Sequence, residues 1–212
     1  LAEAFAKEAK GSCLKLVPEK KNEGFITPGQ VQYVCCAGNY RDAGLDYTGA
    51  YEVLRTAMSY GYLWNNVRVK GGAYGAAFMA LENGRMAFYS WRDPHLSRTM
   101  DVYKDAVDYI ANFEANDEEM TKYVLGTMSD EDLPRNPRQE GERGLMAYLT
   151  GRPFASVQKK RDEILNVTVE DIRALAKGVK AMMDQNICCT VGSEKKVRED
   201  AVHFMKVRDL IK

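Results

Sequence analysis

The dipeptide Asn83-Gly84 stands between two apolar runs and constrains the local fold more than any other feature of the sequence. Asn-Gly supplies the positive φ angles of a type I′ turn, whose twist suits a hairpin with a two-residue loop. The flanking runs are AYGAAFMAL before the turn and RMAFYSW after it. We therefore predict two antiparallel strands at about 74–82 and 85–91.

Apolar patterns elsewhere predict a series of strands and helices around this hairpin. The compact runs Val31–Ala37 and Ile187–Val191 are typical of buried strands. Helical spacing predicts helices at about 47–61, 96–113, 117–132, 138–150, 154–165, onward from Thr168, and 195–211. Strand and helix do not alternate regularly, which argues against a doubly wound nucleotide fold. The order predicts an α+β domain of two layers, a mainly antiparallel sheet covered by helices on one face.

Composition and charge exclude several classes of partner. The chain has 212 residues, with 30 Lys and Arg against 30 Asp and Glu, so its formal net charge is zero. A neutral chain has no overall basic field to hold a nucleic acid backbone. No stretch approaches the roughly 20 consecutive apolar residues that span a bilayer. We expect neither a nucleic acid nor a membrane as partner.

Domain organisation is expected to follow a change in composition near residue 30. Residues 12–30 contain prolines and glycines, which are typical of a linker or surface loop. The opening LAEAFAKEAKG is typical of a helix end stopped by Gly11. We interpret 1–29 as a linker or entry segment from a preceding domain. Residues 30–212 are interpreted as a single domain, the last of a longer protein.

Five cysteines indicate the compartment. Four of them form the adjacent pairs Cys35-Cys36 and Cys188-Cys189, and Cys13 stands alone. Neighbouring side chains in a strand point to opposite faces, so an adjacent pair cannot readily place both sulfurs on one metal ion. We predict reduced thiols in a cytoplasm or an organelle matrix.

The segment Val67–Gly75 contains the best candidates for a functional site, with two cations, three glycines and a tyrosine in nine residues. The guanidinium of Arg68 and the hydroxyl of Tyr74 can donate hydrogen bonds to a carbonyl oxygen or to the oxyanion it becomes. Two other interpretations stay open. A Gly-rich loop with Lys70 can cradle phosphate, although the full phosphate-loop pattern is missing. The glycines can also serve tight packing alone.

This segment and its surroundings resemble the C-terminal half of the pitrilysin/insulinase-type zinc metallopeptidases, in particular the presequence protease branch. The resemblance is carried by NVRVKGGAYGAAF, by ENGRMAFYSWRDPHLSRTMDVY and by VTVEDIRALAKG, and it covers about 30–210. The six-residue interval from Arg68 to Tyr74 suits this branch, because the insulin-degrading branch has one more residue there.

The resemblance implies the last domain of a clamshell of four similar α+β domains. The zinc lies in the first domain of such an enzyme, on an inverted H-x-x-E-H motif. Arg68 and Tyr74 would assist catalysis from across the chamber, with Lys70, Gly71 and Gly72 as substrate contacts. The implied whole is a zinc-dependent oligopeptidase that degrades short unfolded peptides, with a peptide and the preceding domains as partners.

The sequence departs from that enzyme in its metal ligands. Neither His95 nor His203 begins an H-x-x-E-H motif, so we expect zinc to be bound outside this chain and the chain alone to be inactive. Both histidines are interpreted as structural. The alternative function is a catalytically inactive relative that holds peptides or serves assembly.

Overall fold

A six-stranded sheet forms the centre of the computed structural model, which describes Glu19 and residues 21–210. The strands follow the order β3-β4-β2-β5-β1-β6 across the sheet. Their bounds are β1 Glu23–Thr27, β2 Gln32–Asn39, β3 Gly75–Ala80, β4 Arg85–Asp93, β5 Ile187–Ser193 and β6 Lys206–Asp209. The pairs β3–β4, β4–β2 and β2–β5 are antiparallel, whereas β1 runs parallel to both β5 and β6. The sheet is thus mainly antiparallel, as the sequence predicts.

The helices lie mostly between β4 and β5 in the sequence. Their bounds are α1 Ala50–Ala57, α2 Ser97–Ala111, α3 Asp117–Glu131, α4 Pro137–Thr150, α5 Phe154–Leu165, α6 Val169–Ala174, α7 Ala176–Asp184 and α8 Glu194–Glu199. Short 3-10 turns occupy Tyr40–Ala43 and Ala201–His203. The predicted helices at 117–132, 138–150 and 154–165 are confirmed to within a residue at each end.

One face of the sheet packs against helices and contains the core. Val34 and Phe88 are fully buried on this face, and the ring of Phe88 stacks on Tyr103 of α2 at a centroid distance of 5.3 Å. The opposite face is open, since Tyr33 and Tyr89 are 48% and 36% exposed. Side chains alternate between the two faces because a strand has a period of two residues. The two-layer α+β architecture is therefore confirmed.

The hairpin predicted at Asn83-Gly84 is present, but its turn is not the predicted type I′ turn, because Asn83 lacks the positive φ that this turn requires and only Gly84 of the two has one. Strands β3 and β4 flank the turn, Gly84 has a φ of 91°, and Leu81 exchanges backbone hydrogen bonds with Arg85 and Gly84. A Cβ on Gly84 would lie 2.0 Å from the side-chain oxygen of Asn39. The turn needs glycine for its φ and for this close approach.

The segment interpreted as a linker contains a strand. Residues 23–27 form β1, which lies between β5 and β6 in the sheet. Its five residues are too few for a convincing pattern in the sequence, and its position depends on partners from the end of the chain. The interpretation of 12–30 as loop is wrong for these residues. The helix end before Gly11 lies outside the described residues, and the division of 1–29 from 30–212 into domains stays a prediction.

The predicted last helix at 195–211 is also wrong over most of its length. Helix α8 ends at Glu199, and β6 then runs along β1 at the edge of the sheet. Val197 is buried, but Val202 and Met205 are 89% and 79% exposed, so the apolar stripe does not continue as one helical face. Pairing of backbone groups with β1 replaces the helical hydrogen bonds there.

The predicted helix at 47–61 does not end at Gly61. Two π-helical stretches, Met58–Tyr62 and Trp64–Val69, continue α1 as far as the candidate site. Leu63 and Val67 are fully buried in this extension. Their burial offsets the cost of a glycine inside a helix, which is about 1 kcal/mol. Arg68 consequently lies on a helix and not in a loop.

Candidate functional site

Arg68 and Tyr74 line one open groove of about 310 Å³ beside the edge strand β3. Arg68 comes from the last turn of the π-helical extension, and Tyr74 directly precedes β3. Both are exposed, and Tyr74 keeps 63% of its accessible surface. The structure thus brings together the two residues that the sequence analysis assigns to catalysis, and both can reach a ligand in the groove.

Trp64 supports the side chain of Arg68. The guanidinium carbon of Arg68 lies 3.9 Å from the centroid of the Trp64 ring. This contact is a cation–π interaction, which favours a guanidinium lying flat on an indole and leaves its N–H groups free to donate outward. Trp64 is not among the site residues predicted from the sequence. Its spacing of four residues from Arg68 on a helix is the signal that could have found it.

Trp91 forms a second aromatic wall of the groove. It pairs with Gly75 across the hairpin, and a Cβ on Gly75 would lie 2.2 Å from the Trp91 ring. Only glycine lets the indole lie across the first residue of β3. Trp64 and Trp91 are the only two tryptophans of the chain, and both line the groove.

Gly71 and Gly72 end the helix that carries Arg68. The amide of Gly72 donates to the carbonyl of Arg68 at 2.8 Å, and the amide of Ala73 donates to that of Val67 at 3.1 Å. These two nested hydrogen bonds resemble those of a Schellman motif, but each spans one residue more than its counterpart there. The longer span suits the wider turn of a π-helix. Gly72 has a φ of 78°, and a Cβ on Gly71 would lie 2.3 Å from the carbonyl oxygen of Val67. The glycines have a structural use here, and their role as substrate contacts stays a prediction.

Lys70 does not line the groove that Arg68 and Tyr74 share. Its ammonium group lies 3.3 Å from the side-chain oxygen of Asn66, and its carbonyl accepts a hydrogen bond from Arg98. Another cation lies beside Tyr74. The guanidinium of Arg92 is 5.8 Å from the Tyr74 ring centroid, and Arg92 has a positive φ of 49°, which is uncommon for a residue other than glycine.

The sequence of this chain matches the family model of the PreP C-terminal domain over residues 22–194. The chain belongs to the PreP C-terminal domain family. It is 39% identical over 193 residues to Protein HypA of Clostridium perfringens, and 32% identical over 178 residues to presequence protease 1, chloroplastic/mitochondrial, of Arabidopsis thaliana. These alignments cover 91% and 84% of the chain but only 20% and 16% of the relatives. The chain thus spans about a fifth of their length or less.

Solved structures share the fold of this PreP C-terminal domain. Pitrilysin superposes with a TM-score of 0.53 at 15% identity, covering 83% of this chain and 20% of pitrilysin. A peptidase M16 inactive domain from Pseudomonas fluorescens superposes with a TM-score of 0.57 at 17% identity, covering 82% of this chain and 43% of that one. The architecture is therefore that of the peptidase repeat domain named by the sequence resemblance.

The described residues of this PreP C-terminal domain do not fit a zinc site. Among Glu19 and residues 21–210, no three His, Cys, Asp or Glu side chains cluster so that they could hold a metal ion. His203 Nε2 lies 3.1 Å from the hydroxyl of Ser97, and His95 donates its backbone amide to Asp93 at 2.9 Å. Within the same described part of the chain, no helix is long and apolar enough to cross a bilayer.

Proposed function

We propose that this chain is the substrate-binding C-terminal domain of a zinc-dependent oligopeptidase that degrades short unfolded peptides in a closed chamber. The single observation that carries the proposal is the shared groove of Arg68 and Tyr74 on a domain of the PreP C-terminal family. The zinc is bound by other domains of the longer protein, because the described residues offer no ligand set. The partners are the peptide and the preceding domains, in a cytoplasm or an organelle matrix.

Arg68 binds the substrate backbone in this proposal. Its planar guanidinium has five N–H donors, and the stack on Trp64 fixes the plane of the fork. Two of those donors can hold one peptide carbonyl or two successive ones. The open hydrogen-bonding side of the edge strand β3 lies next to the groove and can align an extended peptide. Binding through backbone groups suits an enzyme that accepts many sequences.

Tyr74 stabilises negative charge in this proposal. Its hydroxyl is a neutral donor that is exposed at the groove, and it donates to the oxygen that becomes an oxyanion when the peptide bond is attacked. A donor aimed at charge that develops during the reaction lowers the barrier more than it strengthens substrate binding. In this proposal Arg68 therefore binds the peptide, and Tyr74 stabilises the transition state.

The decisive experiment measures cleavage of one short peptide by the full-length protein and its variants. Tyr74→Phe keeps the ring but removes the donor, and we expect kcat to fall by about 10²–10³, or roughly 3–4 kcal/mol, with little change in KM. Arg68→Ala should raise KM and lower kcat together. Arg68→Lys should restore little, because an ammonium does not reproduce the planar fork.

Matched controls for these variants lie on helix α4. Tyr148→Phe alters a tyrosine that is 83% exposed, and Arg138→Ala removes a surface arginine that pairs with Glu142. Neither residue lines the groove, so both variants should keep the parent kcat/KM. Near-normal kcat/KM in both Tyr74→Phe and Arg68→Ala would overturn the site assignment. An intact protein that cuts no peptide at all, with a full metal complement, would instead favour the inactive relative, a possibility raised by the neighbouring folds described as inactive domains.

A further inference from the structure

Two cysteine pairs face each other across the centre of the sheet. Strands β2 and β5 are antiparallel neighbours, and their register places Cys36 opposite Cys188 and Cys35 opposite Cys189. Directly opposed residues of an antiparallel pair point to the same face, and successive residues alternate. Cys36 and Cys188 therefore share the helix-covered face, whereas Cys35 and Cys189 share the open face.

The sulfurs of Cys36 and Cys188 are in direct contact. They lie 2.7 Å apart, closer than two unbonded sulfur atoms ordinarily approach. The two residues are 2% and 9% exposed. Directly opposed cysteines on neighbouring strands need little backbone movement to meet the distance requirements of a disulfide.

A cavity gives small molecules access to this pair. It has a volume of about 440 Å³, and both thiols line it together with Met100 and Lys104 of α2. Lys180 and Asp184 of α7, both exposed, also line the cavity, as does His203 of the 3-10 turn Ala201–His203. The pair is thus buried from bulk solvent while bordering a space much larger than a peroxide molecule.

The two thiols differ in their electrostatic surroundings. The hydrogen bond with Cys36 and the ammonium group of Lys104 lower the pKa of the Cys188 thiol, although burial acts in the opposite direction. The same hydrogen bond and burial raise the pKa of Cys36, although Lys104 acts to lower that pKa too. A thiolate is the reactive form of cysteine, and Cys188 is also the more exposed of the two residues, at 9% against 2%. We therefore assign the nucleophile to Cys188 and the partner thiol to Cys36.

We propose that Cys36 and Cys188 form a peroxide-reactive dithiol that is oxidised to a disulfide joining β2 to β5. This inference does not depend on the proposed peptidase function. It assigns a covalent modification site to the helix-covered face of the sheet, separate from the groove of Arg68 and Tyr74.

The chemistry needs hydrogen peroxide, or another hydroperoxide, as the oxidant. The Cys188 thiolate attacks one peroxide oxygen, the O–O bond breaks, and the leaving hydroxide takes a proton to become water. The Cys188 sulfenic acid that results is then attacked by the Cys36 sulfur. The S–O bond breaks as the S–S bond forms, and the leaving hydroxide takes the Cys36 proton as a second water. The dithiol loses two electrons, and the peroxide gains them.

The second pair on the open face provides a matched comparison. Burial raises the pKa of Cys35 to about 11, and burial together with Glu23 raises that of Cys189. Both thiols are therefore protonated at neutral pH and react slowly. The same two strands thus carry a pair that we expect to be oxidised readily, Cys36 and Cys188, and a pair that we expect to react slowly, Cys35 and Cys189.

The test counts thiols before and after treatment with a small excess of hydrogen peroxide at neutral pH. All proteins carry Cys13→Ser, because Cys13 lies outside the described residues, which leaves four of the five cysteines. We expect four free thiols to fall to two, and dithiothreitol to restore all four. Peptide mapping should find a single bridge between Cys36 and Cys188. The double variant Cys35→Ala/Cys189→Ala should lose its remaining two thiols at the same rate.

Single variants identify the order of the steps. In Cys36→Ala, oxidation of Cys188 should stop at a sulfenic acid that dimedone captures, whereas Cys188→Ala should give no adduct at Cys36. Four thiols left after peroxide, a bridge between Cys35 and Cys189, or an adduct at Cys36 in Cys188→Ala would each overturn the proposal. The mapping of the protein with all four thiols decides the bridge even where a variant fails to fold.

Discussion

Asp93 is a buried residue whose side chain connects the end of the hairpin to the helix after it by hydrogen bonds. Its carboxylate is fully buried and accepts hydrogen bonds from the hydroxyls of Ser90 and Thr99, at 2.7 and 2.8 Å, and from the amide of His95 at 2.9 Å. A buried carboxylate is stable only when its oxygens are satisfied in this way. The contact links β4 to the first turn of α2 and gives His95 the structural position that the sequence predicts.

We expect Asp93→Ala to lower the free energy of unfolding by about 3 kcal/mol, because it leaves two hydroxyls and an amide without their acceptor. Urea unfolding followed by circular dichroism measures this change. Asp101→Ala is the control, since Asp101 is 62% exposed and forms only a surface ion pair with Lys104. That variant should stay within about 0.5 kcal/mol of the parent. Equal stability of the two variants would contradict the role given to Asp93.

At the scale of elements, the helix end at Gly71-Gly72 determines how the chain turns from the helix that carries Arg68 to Tyr74 and β3. Helix α1 runs into two π-helical stretches before it reaches this turn. A π-helical turn inserts an extra residue and rotates every later side chain about the axis. The direction of Arg68 therefore depends on the backbone of the preceding residues and on the glycines that close the helix.

We expect Gly71→Ala and Gly72→Ala to be destabilising for different reasons. An alanine Cβ at 71 would meet the Val67 carbonyl oxygen at 2.3 Å, whereas alanine at 72 must adopt a φ of 78°. The second change should cost about 1 kcal/mol, and the first should cost more, because backbone atoms have to move. Thermal unfolding of the chain measures both.

Gly144→Ala is the control for these variants. Gly144 lies inside α4, and a Cβ there would meet nothing within 4 Å. Alanine is the better helix former, so this variant should gain up to about 1 kcal/mol. A loss of stability in Gly144→Ala, or none in Gly71→Ala, would show that the local geometry does not govern these effects.

At the scale of the whole molecule, the proposed function has the chain supply one side of a site, and its described residues contain no group that could hold a metal ion. We expect the 212-residue chain to retain no stoichiometric zinc after dialysis. Cys36 and Cys188 provide two neighbouring sulfurs, but a structural zinc site needs four ligands. Elemental analysis by mass spectrometry measures the zinc content.

The control for that measurement is the double variant Cys36→Ala/Cys188→Ala. Any weakly held metal that depends on the dithiol should disappear from this protein. One tightly bound zinc per chain would contradict the prediction, and its persistence in the double variant would require ligands that the described residues do not offer.

Elements whose signals lie within a few neighbouring residues could be predicted from the sequence. The hairpin at Asn83-Gly84 is one of these, although the predicted type I′ turn is wrong. The helix start at Thr168 is another, where the hydroxyl of Thr168 accepts from the amide of Asp171, and the Asp171 carboxylate accepts from the amide of Thr168. The assignment of Arg68 and Tyr74 to a site also rests on a short motif, and it stays a prediction. In each case the atoms that decide the conformation are close in the sequence, so local rules are sufficient.

Contacts between distant parts of the chain depended on the tertiary structure. Strands β1 and β6 have little pattern of their own. They form because β1 pairs with both β5 and β6, which places Glu23 beside Cys189 on one side and Lys206 on the other. The four strand cysteines appear in the sequence as two adjacent pairs, yet the register of β2 against β5 pairs each with a distant partner. Trp64 and Trp91 likewise meet at one groove only after the hairpin folds back on the helix end. The sequence alone determined which local elements can form, whereas the sheet order and the neighbours of each side chain depend on packing energies summed over the whole chain, which no short window of sequence contains.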